Sequence, residues 1–562
     1  MTTAANSGSS PSRPESARRP RSPRAVAFAL ALWLAVVGNA ALWRELVRIR
    51  GGVAAAAVDA TGTFVLVAAA LTALTVLVAW GRWAKPLWIV LLVAAGVAQH
   101  FMLTYGVVMD TAMLANTMQT DAREVRDLLG PALFANVLVV VALPAAVLAV
   151  VPLRAGRWWR ELARNAVVFA VAVTVALAAS FAMFSRLAPL VRNNMHLRYI
   201  VNPIAGITSA AAVALKPLFR RNTALVPITA GAALGPSHAA GGKPPLVVVV
   251  VGETARADHF SLNGYARETN PELARARVLS FRDVRSCGTD TRDSVPCMLS
   301  ALDKGAFEKR RGEQENLLDL LQAAGLAVLW LDNQSGCKDV CARVPTATTA
   351  DLPPAEAARL CSDGACLDDA LLVGIDERIA RLPAERRRNG TVVFFHQMGS
   401  HGPAYFRRSP PERKRFLPEC TNTSLGQCDR DQLVNAYDNT IVETDHVLAA
   451  TIEWLKRRSA DHATALVYMS DHGESLGELG IFLHGLPYAF APDAQTRVPF
   501  IAWLGDALAT RQRIDLACMA RRLDVPHSHD HLYHTVLGLV DVATPTYRVA
   551  LDAFAPCRKA GS

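Results

Sequence analysis

The chain has 562 residues, of which 51% are hydrophobic and only 19% charged, and this length usually holds at least two domains. Long charge-free stretches in its first third exclude an ordinary cytosolic enzyme. The net charge of +10 does not indicate nucleic-acid binding, because residues 1–24 alone hold five Arg against one Glu, and arginines beside membrane spans are a topology signal.

Five charge-free runs predict five transmembrane helices, because each can cross about 30 Å of hydrocarbon as a helix. The runs lie at residues 25–43, 60–81, 86–109, 131–153 and 165–185. The first run is too long for a signal peptide and has no small-residue cleavage site after it. We therefore expect a membrane domain at residues 25–185, preceded by a basic cytoplasmic tail at residues 1–24.

Basic residues indicate the orientation of these spans. With the N-terminus inside, the cytoplasmic segments hold the basic tail, Arg82 with Lys85, and four arginines between residues 154 and 164. The two outer loops hold fewer basic residues, which favours this orientation. Five spans then place everything after residue 185 outside the cytoplasm.

The outer loop at residues 110–130 predicts an amphipathic helix. Asn116, Thr120 and Glu124 recur every four residues, so a helix would place them on one face. The spacing alone leaves open whether that face is merely solvated or belongs to a binding site.

All ten cysteines follow residue 286, and four of the five sequential pairs are only 4 to 10 residues apart. Close pairs after membrane spans indicate disulfides formed outside the cytoplasm, with reduced, buried cysteines as the alternative. Connectivity does not follow from sequence, so sequential pairing is a hypothesis. It joins Cys287 to Cys297, Cys337 to Cys341, Cys361 to Cys366, Cys420 to Cys428, and Cys518 to Cys557.

Residues 186–243 are expected to connect two domains. Residues 186–221 mix apolar and basic side chains, as in helices that lie along a membrane surface, and residues 229–243 are rich in Gly, Ala, Pro and Ser, as in linkers. A soluble domain should then occupy residues 244–562.

Short apolar runs in this domain end abruptly in polar residues. The runs lie at 246–251, 327–331, 391–395, 464–470 and 498–504, and helical stretches such as 315–323 and 432–456 alternate with them. Uninterrupted apolar runs are typical of strands buried on both faces, so we predict an α/β domain with a mostly parallel sheet. Ligands bind beyond the carboxyl ends of such strands, where Glu253, His401, Asp471 and His472 should converge.

Carboxylates with imidazole are ligands that suit Zn²⁺. A hydroxyl brought to that metal becomes a nucleophile, and the candidates are Ser286, Thr289 and Thr291 in the segment SCGTDT. A metal with an activated hydroxyl suits displacement at phosphorus.

Several long segments resemble the lipid A phosphoethanolamine transferases, a family that includes the mobile colistin-resistance enzymes. They are GETARADHFSLNGYARETNP (252–271), SCGTDTRDSVPCM (286–298), HQMGSHGPAYF (396–406), NAYDNT (435–440) and SDHGESLGE (470–478). The resemblance implies an alkaline-phosphatase/sulfatase-like periplasmic domain anchored in the bacterial inner membrane. It also implies transfer of phosphoethanolamine from phosphatidylethanolamine to lipid A through a threonine intermediate, which gives polymyxin resistance.

The resemblance further implies roles for single residues. Thr291, the second Thr of CGTDT, matches the nucleophile. The ligands of one tightly bound zinc are matched by Glu253, Asp471 and His472, with Thr291 completing the site. Histidines near the donor phosphate and a second metal position are matched by His401 and His484. Contacts to substrate are matched by Ser335, Lys338, Asn116, Thr120 and Glu124.

One departure concerns the nucleophile's neighbours, which are usually small or uncharged in the family and here are Asp290, Arg292 and Asp293. If these charges face the pocket, acceptor preference would differ.

Three other functions fit the sequence less well. A sulfatase needs an Arg that the segment SVPCM lacks. A non-catalytic sensor has no reason to keep Glu253, Thr291, Asp471 and His472 together. The remaining alternative is a phosphoglycerol or phosphoethanolamine transferase that acts on another periplasmic glycan.

Overall fold

The structure, a computed structural model, describes residues 20–118, 125, 126, 128–154, 156–219, 225–310, 312–362 and 365–559. Contacts between Cα atoms divide the chain into two compact units. The membrane unit comprises the described residues of Met1–His100 and Ala132–Gly206. The catalytic unit comprises those of Phe101–Pro131 and Ile207–Ser562.

The described residues contain four helices long and apolar enough to span a membrane, or five spans if one bent pair counts as a single span. This agrees with the membrane domain predicted from the charge-free runs. The bent pair is Pro23–Val36 with Ala40–Arg50, and the other spans are Val53–Leu77, Gly81–Thr104, Pro131–Val150 and Trp158–Ala182.

The first span is broken where the sequence predicted one continuous helix. Its two halves meet at an angle of 42°. Asn39 lies in the break, where its side-chain amide donates to the carbonyls of Leu34 and Asn202, at 2.8 and 2.7 Å. The Asn39 side chain thus satisfies the Leu34 carbonyl, which the interrupted helix leaves without an N–H donor, and ties the break to Asn202.

The span Pro131–Val150 contains a π-helical turn at Leu138–Ala142. Pro144 follows this turn and has no N–H to donate to the carbonyl of Val140. The indole of Trp33 donates to that carbonyl instead, over 3.3 Å. The wider turn is the local response to a proline inside a span.

After the last span, helices Phe184–Asn193 and Ile204–Phe219 flank a 3₁₀ turn at Met195–Tyr199. Residues 229–243 differ from the linker that we expected, because strand Ala233–Leu234 pairs antiparallel with Val542–Ala543. The side chain of Glu315 also accepts from the backbone N–H groups of Ile228 and Thr229. This segment is therefore part of the catalytic unit's fold.

A seven-stranded sheet forms the centre of the catalytic unit. In chain order its strands are β1 (Pro245–Gly252), β2 (Leu279–Phe281), β3 (Ala327–Asp332), β4 (Thr346–Thr348), β5 (Thr391–His396), β6 (Ala463–Ser470) and β7 (Phe500–Leu504). Their spatial order is β2-β7-β6-β1-β5-β3-β4. Strand β7 pairs antiparallel with both its neighbours, and the other pairings are parallel, which confirms the mostly parallel sheet.

Both faces of the sheet are buried, as the uninterrupted apolar runs predicted. In β1, Val247, Val249 and Val251 join one hydrophobic core, whereas Leu246, Val248 and Val250 join another on the opposite face. The main helices of the unit are Thr111–Thr117, Pro271–Ala276, Thr291–Met298, Lys304–Lys309, Leu317–Ala323, Pro354–Leu360, Ile375–Ala380, Ala384–Asn389, Arg430–Lys456, Asp506–Arg511, Leu516–Ala520 and Asp530–Val540.

The ten cysteines form five disulfides in the same sequential pairs as the hypothesis from sequence. None of the ten is left as a free thiol. Four of these bonds close loops of ten residues or fewer, and the fifth, Cys518–Cys557, ties Leu516–Ala520 to the C-terminal segment.

Candidate active site

The parallel pairing of β1 with β6 brings three metal-ligating side chains together. Ser470 at the end of β6 lies opposite Gly252 at the end of β1, so Asp471 and His472 follow beside Glu253. One ligand atom from each of Glu253, Asp471 and His472 lies within 4.8 Å of the other two, and all three side chains are fully buried.

The donor set fits a divalent cation. His472 Nδ1 lies 2.9 Å from the carbonyl oxygen of Gly473, which can only accept, so Nδ1 carries the proton and Nε2 presents its lone pair. That nitrogen lies 3.4 Å from Glu253 Oε1 and 3.3 Å from Asp471 Oδ2. Two carboxylates facing a lone pair repel one another unless a cation lies among them.

Burial shifts the pKa values of His472 and Asp471 in opposite directions. It lowers the pKa of His472 well below its ordinary value, which keeps the imidazole neutral. It raises the pKa of Asp471, since a buried carboxylate lacks solvation. A bound cation would restore the charge balance, and the ligand types are those that Zn²⁺ prefers.

Thr291 is the hydroxyl residue that faces this triad. Its Oγ1 donates to Glu253 Oε2 over 3.1 Å and lies 3.5 Å from His472 Nε2. By contrast, Thr289 donates to the carbonyl of Leu486 and Ser286 to that of Gly288. Of the three candidate hydroxyls, the structure therefore brings only Thr291 to the predicted ligands.

The charged residues beside Thr291 contact one another in the first turn of its helix. Thr291 is the first residue of helix Thr291–Met298, and buried Asp290 caps that helix by accepting from the Asp293 N–H over 3.0 Å. Burial, together with Asp293, raises the pKa of Asp290 to about 7. Arg292 lies 3.8 Å from the half-exposed carboxylate of Asp293.

His401 and His484 lie beside one another, with ring centroids 5.4 Å apart, and His484 is 4.3 Å from His472. The loop that carries His401 is fixed to the Glu253 backbone, because Ser400 N–H donates to Glu253 O over 3.0 Å. Gly399 adopts φ +50° there, where a Cβ would come within 2.7 Å of that carbonyl oxygen.

A buried carboxylate orients His484. Glu474 Oε1 lies 3.1 Å from His484 Nδ1. Burial is the largest single influence and opposes the charged imidazole, but Glu474, Asp471 and Asp290 together outweigh it, so the pKa of His484 is raised. Burial lowers the pKa of His401 well below its ordinary value. The two neighbouring imidazoles are therefore held in different electrostatic environments.

Ser335 and Lys338 are also brought together. Lys338 Nζ donates to Ser335 Oγ over 2.8 Å. The preceding residue, Gln334, donates from its side-chain amide to Glu253 Oε2 over 2.7 Å. The loop after β3 thus contacts Glu253 through Gln334, and the same loop carries the Lys338 ammonium group four residues further along.

The outer-loop helix is described in part. Helix Thr111–Thr117, which contains Asn116, is capped by Asp110, and it ends well short of the predicted residue 130. Thr120 and Glu124 lie outside the described residues. Tyr105, six residues before this helix, accepts at its carbonyl from Phe482 N–H over 2.8 Å. The chain that leads into the outer loop therefore packs beside the loop that carries His484.

Sequence reasoning missed three residues that hold the site together. Gln334 contacts Glu253, Glu474 contacts His484, and buried His529 bridges two loops. His529 Nδ1 accepts from Cys287 N–H over 3.0 Å, and its Nε2 donates to Ser470 O over 2.9 Å. Glu474 lies inside the quoted segment SDHGESLGE and could have been singled out, whereas no local signal marks His529.

Comparisons with known proteins agree with this architecture. The family model described as Phosphoethanolamine transferase EptA/EptB matches residues 67–218, and the Sulfatase model matches residues 245–542. Phosphoethanolamine transferase EptA of Salmonella typhimurium is 38% identical over 475 residues, which are 84% of this chain and 85% of that protein. Phosphatidylethanolamine transferase Mcr-1 of Escherichia coli is 38% identical over 489 residues, 85% of this chain and 87% of the relative.

A solved structure has the same overall fold. The integral membrane protein lipooligosaccharide phosphoethanolamine transferase A (EptA) from Neisseria meningitidis superposes with a TM-score of 0.89 at 33% identity. The match covers 95% of this chain and 99% of that one. The predicted combination of a helical membrane domain with a sulfatase-like α/β domain is thereby confirmed.

Proposed function

The chain belongs to the phosphoethanolamine transferase family, and we propose that it transfers phosphoethanolamine from phosphatidylethanolamine to lipid A phosphate groups. The observation that carries the proposal is the Thr291 hydroxyl, 3.1 Å from Glu253 and 3.5 Å from His472. The proposal takes this hydroxyl as the nucleophile, because it lies against a ligand set suited to phosphoryl transfer. Relatives whose names specify phosphoethanolamine transfer support the donor group.

The metal we propose is Zn²⁺: Glu253, Asp471, His472 and Thr291 would hold one ion, and a second would find a place near His401 and His484 if turnover uses two. When bound, it supplies positive charge that lowers the proton affinity of a ligating hydroxyl. Gln334 steadies Glu253 for this role by donating to the same oxygen, Oε2, that Thr291 contacts.

The reaction proceeds in two displacements. Thr291 Oγ1 passes its proton to Glu253 Oε2, its hydrogen-bond acceptor, and attacks the donor phosphorus. The bond to the diacylglycerol oxygen breaks, and His401 or His484, in its protonated form, gives a proton to that oxygen. A lipid A phosphate oxygen then attacks the phosphoethanolamine ester of Thr291, which frees the hydroxyl. Two inversions give net retention at phosphorus.

We extend the proposal to the substrate contacts. Lys338 and Ser335, joined at 2.8 Å, would meet the donor phosphate. Asn116, Thr120 and Glu124 would hold the headgroup, with the Glu124 carboxylate facing the ethanolamine ammonium. The ammonium added to lipid A reduces its negative charge, and weaker binding of cationic peptides such as polymyxin and colistin would follow.

The proposal places the membrane unit in the bacterial inner membrane and the catalytic unit in the periplasm, where lipid A and disulfides both occur. A reporter that is active only in the periplasm, fused after Ser562, should be active. Activity of a cytoplasm-specific reporter at the same position would contradict this orientation.

Mass spectrometry of lipid A tests the function. Cells that express the chain should gain a phosphoethanolamine unit on lipid A, and cells that express Thr291→Ala should not. Unmodified lipid A from cells with a folded, membrane-inserted wild-type chain would overturn lipid A as acceptor.

A further inference from the structure

The membrane unit contains a charge cluster that the proposed reaction does not use. Asp59, in helix Val53–Leu77, is fully buried. Arg50 NH2 lies 2.6 Å from its Oδ2, and Arg186 Nε lies 2.7 Å from its Oδ1. Gly62, one turn from Asp59, allows the close approach of Met183, since a Cβ there would come within 2.6 Å of the Met183 side chain.

This cluster holds more positive charge than its carboxylate requires. Two guanidinium groups face one Asp59 carboxylate, which leaves a net charge of one positive unit. Arg50 Nε is buried and has no hydrogen-bond acceptor among the described residues. An ion pair that only joined helices would need one arginine, so the second cation and the unpaired donor call for an additional anion.

A cavity of about 460 Å³ opens beside the two arginines. Arg50 ends helix Ala40–Arg50 and Arg186 lies four residues beyond helix Trp158–Ala182, so the cavity is at one end of the helix bundle. Its other walls combine the apolar side chains of Ile49, Pro189 and Leu190 with the polar ones of Ser185, Asn193 and Asn194. Close in sequence to Arg186, Phe181 and Phe184 are 87% and 69% exposed, as expected for side chains that face lipid.

We propose that this cavity binds the phosphate group of a membrane lipid. Arg50 and Arg186 contact the phosphate oxygens, and Ile49, Pro189 and Leu190 contact the glycerol and the first methylene groups of the acyl chains. Basic pockets between membrane helices bind lipid headgroups in this way, and guanidinium groups suit phosphate because they donate two parallel hydrogen bonds. The three apolar residues of the lining, together with the exposed Phe181 and Phe184 close in sequence, favour a lipid over free phosphate.

Native mass spectrometry of the full-length protein in detergent tests the site with three probes: dioctanoyl phosphatidic acid, dioctanoylglycerol and inorganic phosphate. We expect phosphatidic acid to bind at least about tenfold more tightly than either of the others. Dioctanoylglycerol lacks the charge-assisted contact to the arginines, and inorganic phosphate lacks the apolar contact. Equal affinity for inorganic phosphate, or for dioctanoylglycerol, would overturn a lipid-phosphate site.

Two variants identify the residues. Arg186→Gln should weaken phosphatidic acid binding about tenfold, whereas Arg192→Gln, on the same interfacial helix but outside the cavity lining, should not. Asp59→Asn keeps the side-chain shape and removes the competing carboxylate, so phosphatidic acid should bind several-fold more tightly.

The opposite results would show that the cluster only joins helices. In that case Asp59→Asn would lower the Tm and leave phosphatidic acid binding unchanged, and Arg186→Gln would bind it as the wild type does. Neither measurement depends on turnover, so the outcome is separate from that of the proposed reaction.

Discussion

Thr291 Oγ1 donates a hydrogen bond to Glu253 Oε2 over 3.1 Å, at the N-terminus of an eight-residue helix. The same oxygen accepts from Gln334, so the carboxylate is fixed on two sides. A hydroxyl attached to a helix start and hydrogen-bonded to Glu253 is held beside the side chains that could ligate a metal. The positive end of the helix dipole also favours an alkoxide there.

The first prediction follows from this contact. Incubation of the wild-type protein with phosphatidylethanolamine alone should leave a phosphoethanolamine adduct on Thr291, detected by peptide mass spectrometry. Thr291→Ala should form none, and Thr291→Ser should retain some turnover because it keeps a hydroxyl. The matched control is Thr289→Ala, whose hydroxyl contacts Leu486 O instead, and it should still form the adduct. An adduct on Thr289 would contradict the assignment.

The second prediction concerns the metal ligands. Glu253→Gln preserves the shape of the side chain but removes a charged ligand. The affinity for zinc should therefore fall at least about tenfold, and elemental analysis should find less zinc in the purified variant. Chelation should lower the Tm of the wild type, because a ligand that binds only the folded state stabilises it. In the variant, chelation should change the Tm little. Glu356→Gln, a surface residue paired with Arg359, is the control. Full zinc occupancy in Glu253→Gln would exclude this site.

Most of the sheet could be predicted from sequence because its strands are buried on both faces. The run 246–251 became β1 and the run 464–470 became β6, each within one residue of the prediction at either end. The polar residues that end those runs were therefore placed correctly at one edge. The apolar runs could predict this because every residue of β1 is buried, so the run and the strand coincide.

Other features depend on contacts between distant residues. The break at Asn39 depends on a contact with Asn202, and the helix Val53–Leu77 includes Asp59, whose charge ended the predicted run at residue 60. Asp59 is accommodated only because Arg50 and Arg186 reach it. The bridge made by His529 joins residues 59 and 242 positions away in sequence, and no local pattern encodes such a contact.

The third prediction concerns His529, which links the backbone before Thr291 to the backbone before Asp471 and His472. Burial lowers the pKa of His529 to about 4, below its ordinary 6.5, so the folded state favours the neutral imidazole. Its contribution to stability is complete above pH 6.5 and is lost as pH falls from 6.5 towards 4. The free energy of unfolding lost through this titration is at most about 3 kcal/mol.

The Tm of the full-length protein between pH 7 and 4.5 tests this. Stability of the wild type should fall more steeply with acid than that of His529→Gln, whose amide can still accept and donate but does not titrate. His446→Gln, on the surface of the long helix Arg430–Lys456, should follow the wild-type curve. Parallel curves for His529→Gln and the wild type would refute the assignment.

The last prediction separates orientation of His484 from metal binding. Glu474 is fully buried and its Oε1 lies 3.1 Å from His484 Nδ1, so the carboxylate fixes the ring with Nε2 directed away from it. If His484 protonates the departing diacylglycerol oxygen, losing this partner should slow that step. Glu474→Gln keeps a hydrogen-bonding group but removes the charge that stabilises the imidazolium. We expect kcat to fall about 10- to 100-fold, part of the usual contribution of a general acid.

Zinc content and the KM for phosphatidylethanolamine should change little, because Glu474 lies outside the triad of Glu253, Asp471 and His472. Glu478→Gln is the matched control: it lies in the same loop, but its carboxylate pairs with Arg256 rather than with a histidine. If His401 alone supplies the proton, Glu474→Gln should keep wild-type kcat while His401→Gln loses it. Loss of zinc in Glu474→Gln would instead make this residue part of the metal site.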